Sequence, residues 1–322
     1  MTEELRDGYD VVVIGGGAAG LNGALMLARS RRSVLVVDAG APRNAPADGV
    51  HGLLAREGMP PAELVARGRA EVRGYGGQIV SGEVRTVART GDGFTVTLAD
   101  GRAVTALRLL VATGLADELP EIPGVRERWG RDVLHCPYCH GWEVRDKAIG
   151  IIATGPNAVH QALLFRQLSA DVTVFAHTAP PGPEQAEQLA ARGIALVPGT
   201  VAEVVVADDR ITGVRLSDGT VLAREAIVVG PRMVARGGLL AGVGLVPREH
   251  PSGMGETVPA DPFGRTEVPG VWVAGNVTDL AAQVGAAAAA GAMAGAQINA
   301  DLVTAETEAA VELHRAGAAA AR

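Results

Sequence analysis

The chain has 322 residues, 48% hydrophobic and 20% charged, so it is long enough for two domains with separate cores and too apolar to be disordered. Its net charge of −7 argues against nucleic acid or an anionic membrane as the main partner. Its only two cysteines, Cys136 and Cys139, stand at C-x-x-C spacing, a pattern a chain this long does not keep for packing.

The segment Met1 to Tyr9 is polar and acidic, with neither the basic part nor the apolar stretch of a signal peptide. A cytoplasmic protein is expected, and a disulfide in that compartment is usually catalytic. Asp10–Ile14 is a β-branched apolar run and reads as a buried strand. Gly15-Gly16-Gly17-Ala18-Ala19-Gly20 follows, then a helix over Leu21–Arg29 and a strand over Ser33–Val37 closing on Asp38. This is G-x-G-x-x-G inside a βαβ unit. Gly15 serves the tight turn, Gly17 the approach of a pyrophosphate, and Gly20 the packing of helix on strand. The helix N-terminus offers its amides to phosphate, and Asp38, 18 residues after Gly20, suits a ribose hydroxyl. The fingerprint predicts a dinucleotide without separating FAD from NAD.

Ala41-Pro-Arg-Asn44 and His51-Gly52 lie in a polar, turn-rich stretch. A helix over Pro61–Glu71, strands around Gln78–Val87 and Phe94–Leu98, and a strand over Ala106–Val111 come next. The last runs into Ala112-Thr113-Gly114, a strand end typical of flavoproteins with two dinucleotide domains, although a plain turn would read the same. Leu119–Gly124 looks like a linker into a second domain.

His135-Cys136-Pro137-Tyr138-Cys139-His140 follows. A redox dithiol is the first reading, because C-x-x-C beside a βαβ pattern is the expected redox context. A c-type haem attachment, a His-Cys-Cys-His zinc site and an inert buried pair are the alternatives. His135 and His140 flank the pair and can move protons.

A second βαβ unit spans strand Ala148–Ala153, a helix ending near Leu168 and strand Val172–Phe175. Its loop has Ala153, Gly155 and Ala158 where G-x-G-x-x-A is expected, and Pro156 removes an amide donor. No arginine cluster follows to hold a 2′-phosphate, so the nicotinamide site is expected to be weak or absent. Strands are expected at Ile194–Val197, Glu203–Val206, Gly213–Leu216 and Ala226–Val229. The Gly- and Pro-rich segment 237–260 leads back to the first domain. Val271–Gly275 reads as a strand ending at Asn276, and Ala286–Ile298 as a helix of small residues. The stretch Ala281–Ala296 is too poor in large apolar residues for a membrane span. The tail from Thr304 to Arg322 has a helical pattern and is expected to be partly disordered.

This order of parts resembles the low-molecular-weight thioredoxin reductases over nearly the whole chain. Cys136-Pro-Tyr-Cys139-His140-Gly141-Trp142-Glu143 resembles their branch of flavin-dependent dithiol oxidases, which close disulfides in natural products such as gliotoxin, holomycin and romidepsin. The resemblance implies an α/β fold of two Rossmann-like, three-layer ββα domains. An FAD domain, 1–116 and 246–322, is split by an insert, 117–245, that carries the C-x-x-C. It places FAD on Gly15, Gly17, Ala18, Ala19 and Gly20, on Asp38, Ala39, Arg43 and Asn44, and on His51 and Val84. Ala112, Thr113 and Gly114, with Gly275, Asn276, Gln283 and Val284, complete the expected contacts. No metal is expected.

Two departures from the reductases stand out. Gly275-Asn276 replaces Gly-Asp, with the asparagine expected to bond a ribityl or phosphate oxygen. His140 replaces an acid, either as a base for a substrate thiol or as a structural partner. The implied activity is oxidation of a small-molecule dithiol through Cys136 and Cys139, with O₂ as acceptor and H₂O₂ as product, in a homodimer. An NADPH-dependent disulfide reductase is the alternative, and a non-catalytic redox sensor a weaker one.

Overall fold

The computed structural model describes residues 5–320, so the readings at Met1–Glu4 and at Ala321–Arg322 lie outside the described residues. The chain runs β1 (Gly8–Ile14), α1 (Ala18–Arg29), β2 (Val34–Asp38), α2 (Pro61–Gly74), β3 (Gln78–Ser81), β4 (Val84–Thr90), β5 (Gly93–Leu98), β6 (Ala103–Val111) and β7 (Leu115–Glu118). The inserted part holds α3 (Val125–Arg128), β8 (Val133–Leu134), α4 (Pro137–His140), β9 (Ile149–Ile152), α5 (Ala158–Phe165), β10 (Val172–Phe175), α6 (Pro183–Ala191) and β11 (Ala195–Val197). Then come β12 (Val201–Ala207), β13 (Arg210–Leu216), β14 (Val221–Ala223), β15 (Ala226–Val229), β16 (Arg232–Ala235), β17 (Arg248–Glu249), β18 (Glu256–Thr257), β19 (Val271–Val273) and α7 (Val284–Ala320).

The first sheet has the order β3-β2-β1-β6, and β6 is shared. Its first half pairs antiparallel with β5, and its second half parallel with β19. Strand alternation sorts side chains to two faces. Val11 and Val13 of β1 join the core under α1 and α7, whereas Val12 and Ile14 join the core under the β4–β5 ribbon. Both faces are covered, which is why β1 reads as an unbroken apolar run. The inserted domain repeats the plan. Parallel β11-β10-β9-β15-β8 has α5 and α6 on one face and antiparallel β12-β13-β14 on the other. Both domains are three-layer ββα sandwiches of Rossmann type.

The two crossings between domains pair with each other. β7 and β16 form an antiparallel ribbon, with Leu115 opposite Ala235 and Glu118 opposite Arg232. The return therefore precedes the expected residue 246, because Ala235, Leu240 and Leu245 already belong to the first domain's core. The strand expected over Gln78–Val87 is two strands. β3 joins the parallel sheet and β4 the ribbon, with the chain turning at Gly82, where a Cβ would stand 2.9 Å from Leu98. The helix expected over Ala286–Ile298 runs on through the tail to Ala320, so no disordered tail is seen within the described residues. α6 was not foreseen: Gly182 and Pro183 open it, and Gln185 Oε1 accepts the Gly182 N–H at 3.1 Å. No helix among the described residues is long and apolar enough to cross a membrane.

Candidate active site

A cavity of about 870 Å³ runs from the end of β2 to the C-x-x-C. Every site residue expected from the sequence except Gly20 lines it. Gly20 lies behind the wall, where any side chain would overlap the Gly15 carbonyl oxygen. Its role is helix-on-strand packing. Gly15 has φ +108°, a conformation that favours glycine. Gly17 is the opposite case: nothing stands within 4 Å of the position its Cβ would take, so its face is open. α1 starts at Gly17 without a side-chain cap, which leaves first-turn amides for a ligand.

α7 aims a second helix start at the same cavity, through Gln283 and Val284, with the Gln283 carbonyl accepting the Ala287 N–H at 2.8 Å. The two helices come close because their contact is made of small residues. A Cβ on Gly295 would stand 2.7 Å from the Gly23 carbonyl oxygen. Asp38 closes the far end, paired with Arg69 and accepting the Gly40 N–H at 3.2 Å. Gly16 makes room for that carboxylate, since a Cβ there would meet it at 2.6 Å. An open glycine face, two helix starts aimed at one cavity and a terminal acid fit a dinucleotide.

Two expected contacts are already committed elsewhere. The Arg43 guanidinium forks onto Asp117 of β7, Nε to Oδ2 at 2.7 Å and Nη2 to Oδ1 at 2.6 Å. It clamps the ribbon and faces the cavity with what remains. Asn276 donates both hydrogens of Nδ2, to the carbonyls of Asp279 at 3.0 Å and Ala282 at 2.9 Å. Its side chain therefore has no donor left for a phosphate oxygen; Oδ1 remains as an acceptor for a hydroxyl. An aspartate could not make those two bonds, which gives the Gly-Asn departure a structural reason.

At the near end Cys136 and Cys139 are joined in a disulfide, Cα to Cα 5.3 Å. Pro137 starts α4 at a position that needs no N–H. Cys136 caps that turn: its Sγ accepts the Cys139 N–H at 3.2 Å. A side chain at Gly141 would overlap Leu168 and the Pro137 carbonyl, so the turn is pressed onto the inserted domain. His140, the last residue of α4, lines the cavity, and burial pushes its pKa down; Glu143 raises it and His51 lowers it further. His135 is also pushed down, by burial first and then by the Arg43 charge.

His51 belongs to the first domain, yet its Nε2 lies 3.5 Å from Glu143 Oε1 in the second, while its Nδ1 contacts Glu57 Oε1 at 2.6 Å. Pro46 and Gly130 meet across the same boundary, where a Cβ on Gly130 would stand 2.7 Å from the Pro46 Cβ. Sequence reasoning missed Gln161 of α5. It is buried, and its Nε2 stands 3.0 Å from the His135 carbonyl and 3.2 Å from His135 Nδ1. A polar residue on a short apolar helix gives no sequence signal of this kind. The Glu143, Glu57 and Asp117 partnerships were equally silent.

Known proteins are similar to this chain over most of its length. The structure superposes on a crystal structure of HlmI with TM-score 0.91, at 47% identity, covering 97% of this chain and 98% of the other. Thioredoxin reductase tcpT of Claviceps purpurea is 33% identical over 91% of this chain and 95% of its own length. Thioredoxin reductase sirT of Leptosphaeria maculans is 30% identical over 90% of this chain and 93% of its own length. The family model for pyridine nucleotide-disulphide oxidoreductases matches residues 9–295, and the chain, with its two Rossmann-type domains and its Cys136–Cys139 pair, belongs to that family.

Proposed function

We propose that the protein is an FAD-dependent dithiol oxidase that closes a disulfide in a small molecule and uses O₂ as acceptor. The observation that carries this reading is that the Cys136–Cys139 disulfide and the Gly15–Gly17 loop line one cavity. Gly17 and the start of α1 would hold the pyrophosphate of FAD, Asp38 a ribose, and Asn276 Oδ1 a hydroxyl. FAD, when bound, would supply the two-electron acceptor for the Cys136–Cys139 dithiol, with O₂ as the final acceptor and H₂O₂ as product.

The chain's own residues perform the exchange. A substrate thiol loses its proton to His140, which burial keeps neutral and able to accept it at neutral pH. The thiolate attacks Cys136 Sγ; the S–S bond breaks and Cys139 leaves as a thiolate. The second substrate thiol then passes its proton to the Cys139 thiolate, and its sulfur attacks the substrate sulfur of the mixed disulfide. Cys136 leaves as a thiolate, stabilised by the Cys139 N–H that already points at its sulfur. One substrate disulfide has formed and one enzyme disulfide has been reduced to a dithiol.

The relatives' names favour a second reading, an NADPH-dependent disulfide reductase. Against it, Pro156 stands in the second nucleotide loop and Ala153 is wholly buried where a glycine is expected. The test is anaerobic mixing. Dithiol should bleach the flavin and NADPH should not, and with air restored dithiol should consume O₂ and yield H₂O₂. Fast bleaching by micromolar NADPH would establish the reductase instead.

A further inference from the structure

We infer that Gln161 locks His135 as the Nε2–H tautomer, so that His135 gives the cavity a fixed hydrogen-bond donor and leaves proton acceptance to His140. The role in exchange rests on the proposed dithiol chemistry; the lock itself does not.

The Gln161 amide has one orientation available. Its Nε2 lies 3.0 Å from the His135 carbonyl oxygen, which can only accept, so a hydrogen must point there. Turning the amide over would set oxygen against oxygen. The second hydrogen of the same NH₂ group faces His135 Nδ1 at 3.2 Å. Nδ1 must then be bare. The competing partner, the Val229 carbonyl, is longer at 3.4 Å, and an Nδ1–H aimed at it would set two donors against each other. A neutral imidazole with a bare Nδ1 carries its hydrogen on Nε2. His135 lines the cavity; with Nδ1 held from the α5 side, Nε2 is the ring nitrogen left to donate.

The surroundings keep the ring neutral. Arg43 and Asp117 are the charges that face His135, and they are bound to each other. Gln161 is itself buried among the apolar side chains of the α5 core, so its hydrogen bonds do not compete with water. Gln161 is thus a positioning residue, acting through His135. A ring with Nε2 protonated and Nδ1 occupied cannot take a proton from a substrate thiol without breaking the Gln161 bond. Of the two histidines beside the pair, only His140 is left free to do so.

The test is long-range ¹H–¹⁵N correlation spectroscopy on the ¹⁵N-histidine-labelled holoenzyme, which has seven histidines, with His135 assigned from His135→Gln. Wild type should show Nε2 protonated and Nδ1 bare. Gln161→Leu should move the hydrogen to Nδ1, toward Val229. Gln161→Glu should give His135 a second proton at a pH where wild type carries one. An Nδ1–H tautomer in wild type, or an unchanged His135 signal in both variants, overturns the lock. If the tautomer moves while dithiol turnover stays within about twofold of wild type, the donor role is overturned; a loss of about tenfold or more supports it. A wild-type enzyme that oxidises no dithiol would overturn the proposed activity while leaving the tautomer readable.

Discussion

His51 Nε2 and Glu143 Oε1 stand 3.5 Å apart across the boundary between the two domains, and both act on His140. Glu143 raises the His140 pKa and His51 lowers it, against a larger lowering by burial. If His140 is the base, activity rises with pH as the imidazole loses its proton, below the ordinary histidine range. Removing the Glu143 charge lowers the pKa further, so Glu143→Gln should move the acid limb of the pH–rate profile to lower pH. His51→Gln should move it to higher pH. His140→Ala should slow thiol–disulfide exchange by about 10²–10⁴-fold. Stopped-flow exchange measured against pH checks all three; limbs moving in the same direction in both charge variants would remove His140 from the proton transfer.

Cys136 and Cys139 differ in one contact. Cys136 Sγ has the Cys139 N–H at 3.2 Å, and no such donor is seen for Cys139 Sγ among the described residues. The sulfur with the donor is the better second leaving group. Cys139→Ser, offered the disulfide form of the substrate, should therefore hold it on Cys136 as a mixed disulfide, the Cys136 thiolate breaking the substrate S–S bond and one substrate sulfur leaving as a thiol, visible as a mass increase of one substrate. Cys136→Ser should trap far less, and neither variant should turn over. Equal adducts on both variants would mean that the two sulfurs are interchangeable.

Asn276 illustrates what the sequence could and could not convey. Its place at the end of β19 was legible from Val271–Gly275, because a buried apolar strand followed by a small polar turn has few other readings. The partners of its amide were not legible, because they lie in the irregular stretch 279–282. Asn276→Asp replaces two donated hydrogen bonds with a carboxylate facing two carbonyls. We expect a loss of about 1–3 kcal/mol in stability. Chemical denaturation with the cofactor removed would show it. Unchanged stability would mean that the loop is held by other contacts.

The same physical divide runs through the molecule. Strands buried on both faces announced themselves, and Val172–Phe175 and Ala226–Val229 are observed within their expected bounds. The β7–β16 ribbon did not, since each four-residue strand finds its partner more than a hundred residues away and has no local pattern of its own. Glycines that line a ligand face were readable from spacing. The side-chain pairs Arg43–Asp117, His51–Glu143 and Gln161–His135 were not, because each joins elements that only the fold brings together.

Gly17 and Gly20 give the sharpest separation of ligand binding from folding. Both belong to the same fingerprint, three residues apart, and a sequence treats them alike. Gly17 opens onto the cavity, with nothing within 4 Å of an added Cβ, whereas at Gly20 an added Cβ overlaps the Gly15 carbonyl, a backbone atom that cannot step aside cheaply. Gly17→Ala should therefore fold with near-normal stability, since only the small helix-cap preference of glycine over alanine is lost. Its methyl would occupy the space a pyrophosphate needs beside the first-turn amides, so purified protein should carry less flavin and lose what it has on dilution. Gly20→Ala should fail the other way. Forcing α1 off β1 costs about 1–3 kcal/mol, typical of overpacking, and the protein should melt earlier even with cofactor removed. Thermal unfolding of both apoproteins, together with flavin titration, reads the two effects separately. If Gly17→Ala destabilised the apoprotein as much as Gly20→Ala, the open face of Gly17 would be structural and not a seat for the dinucleotide.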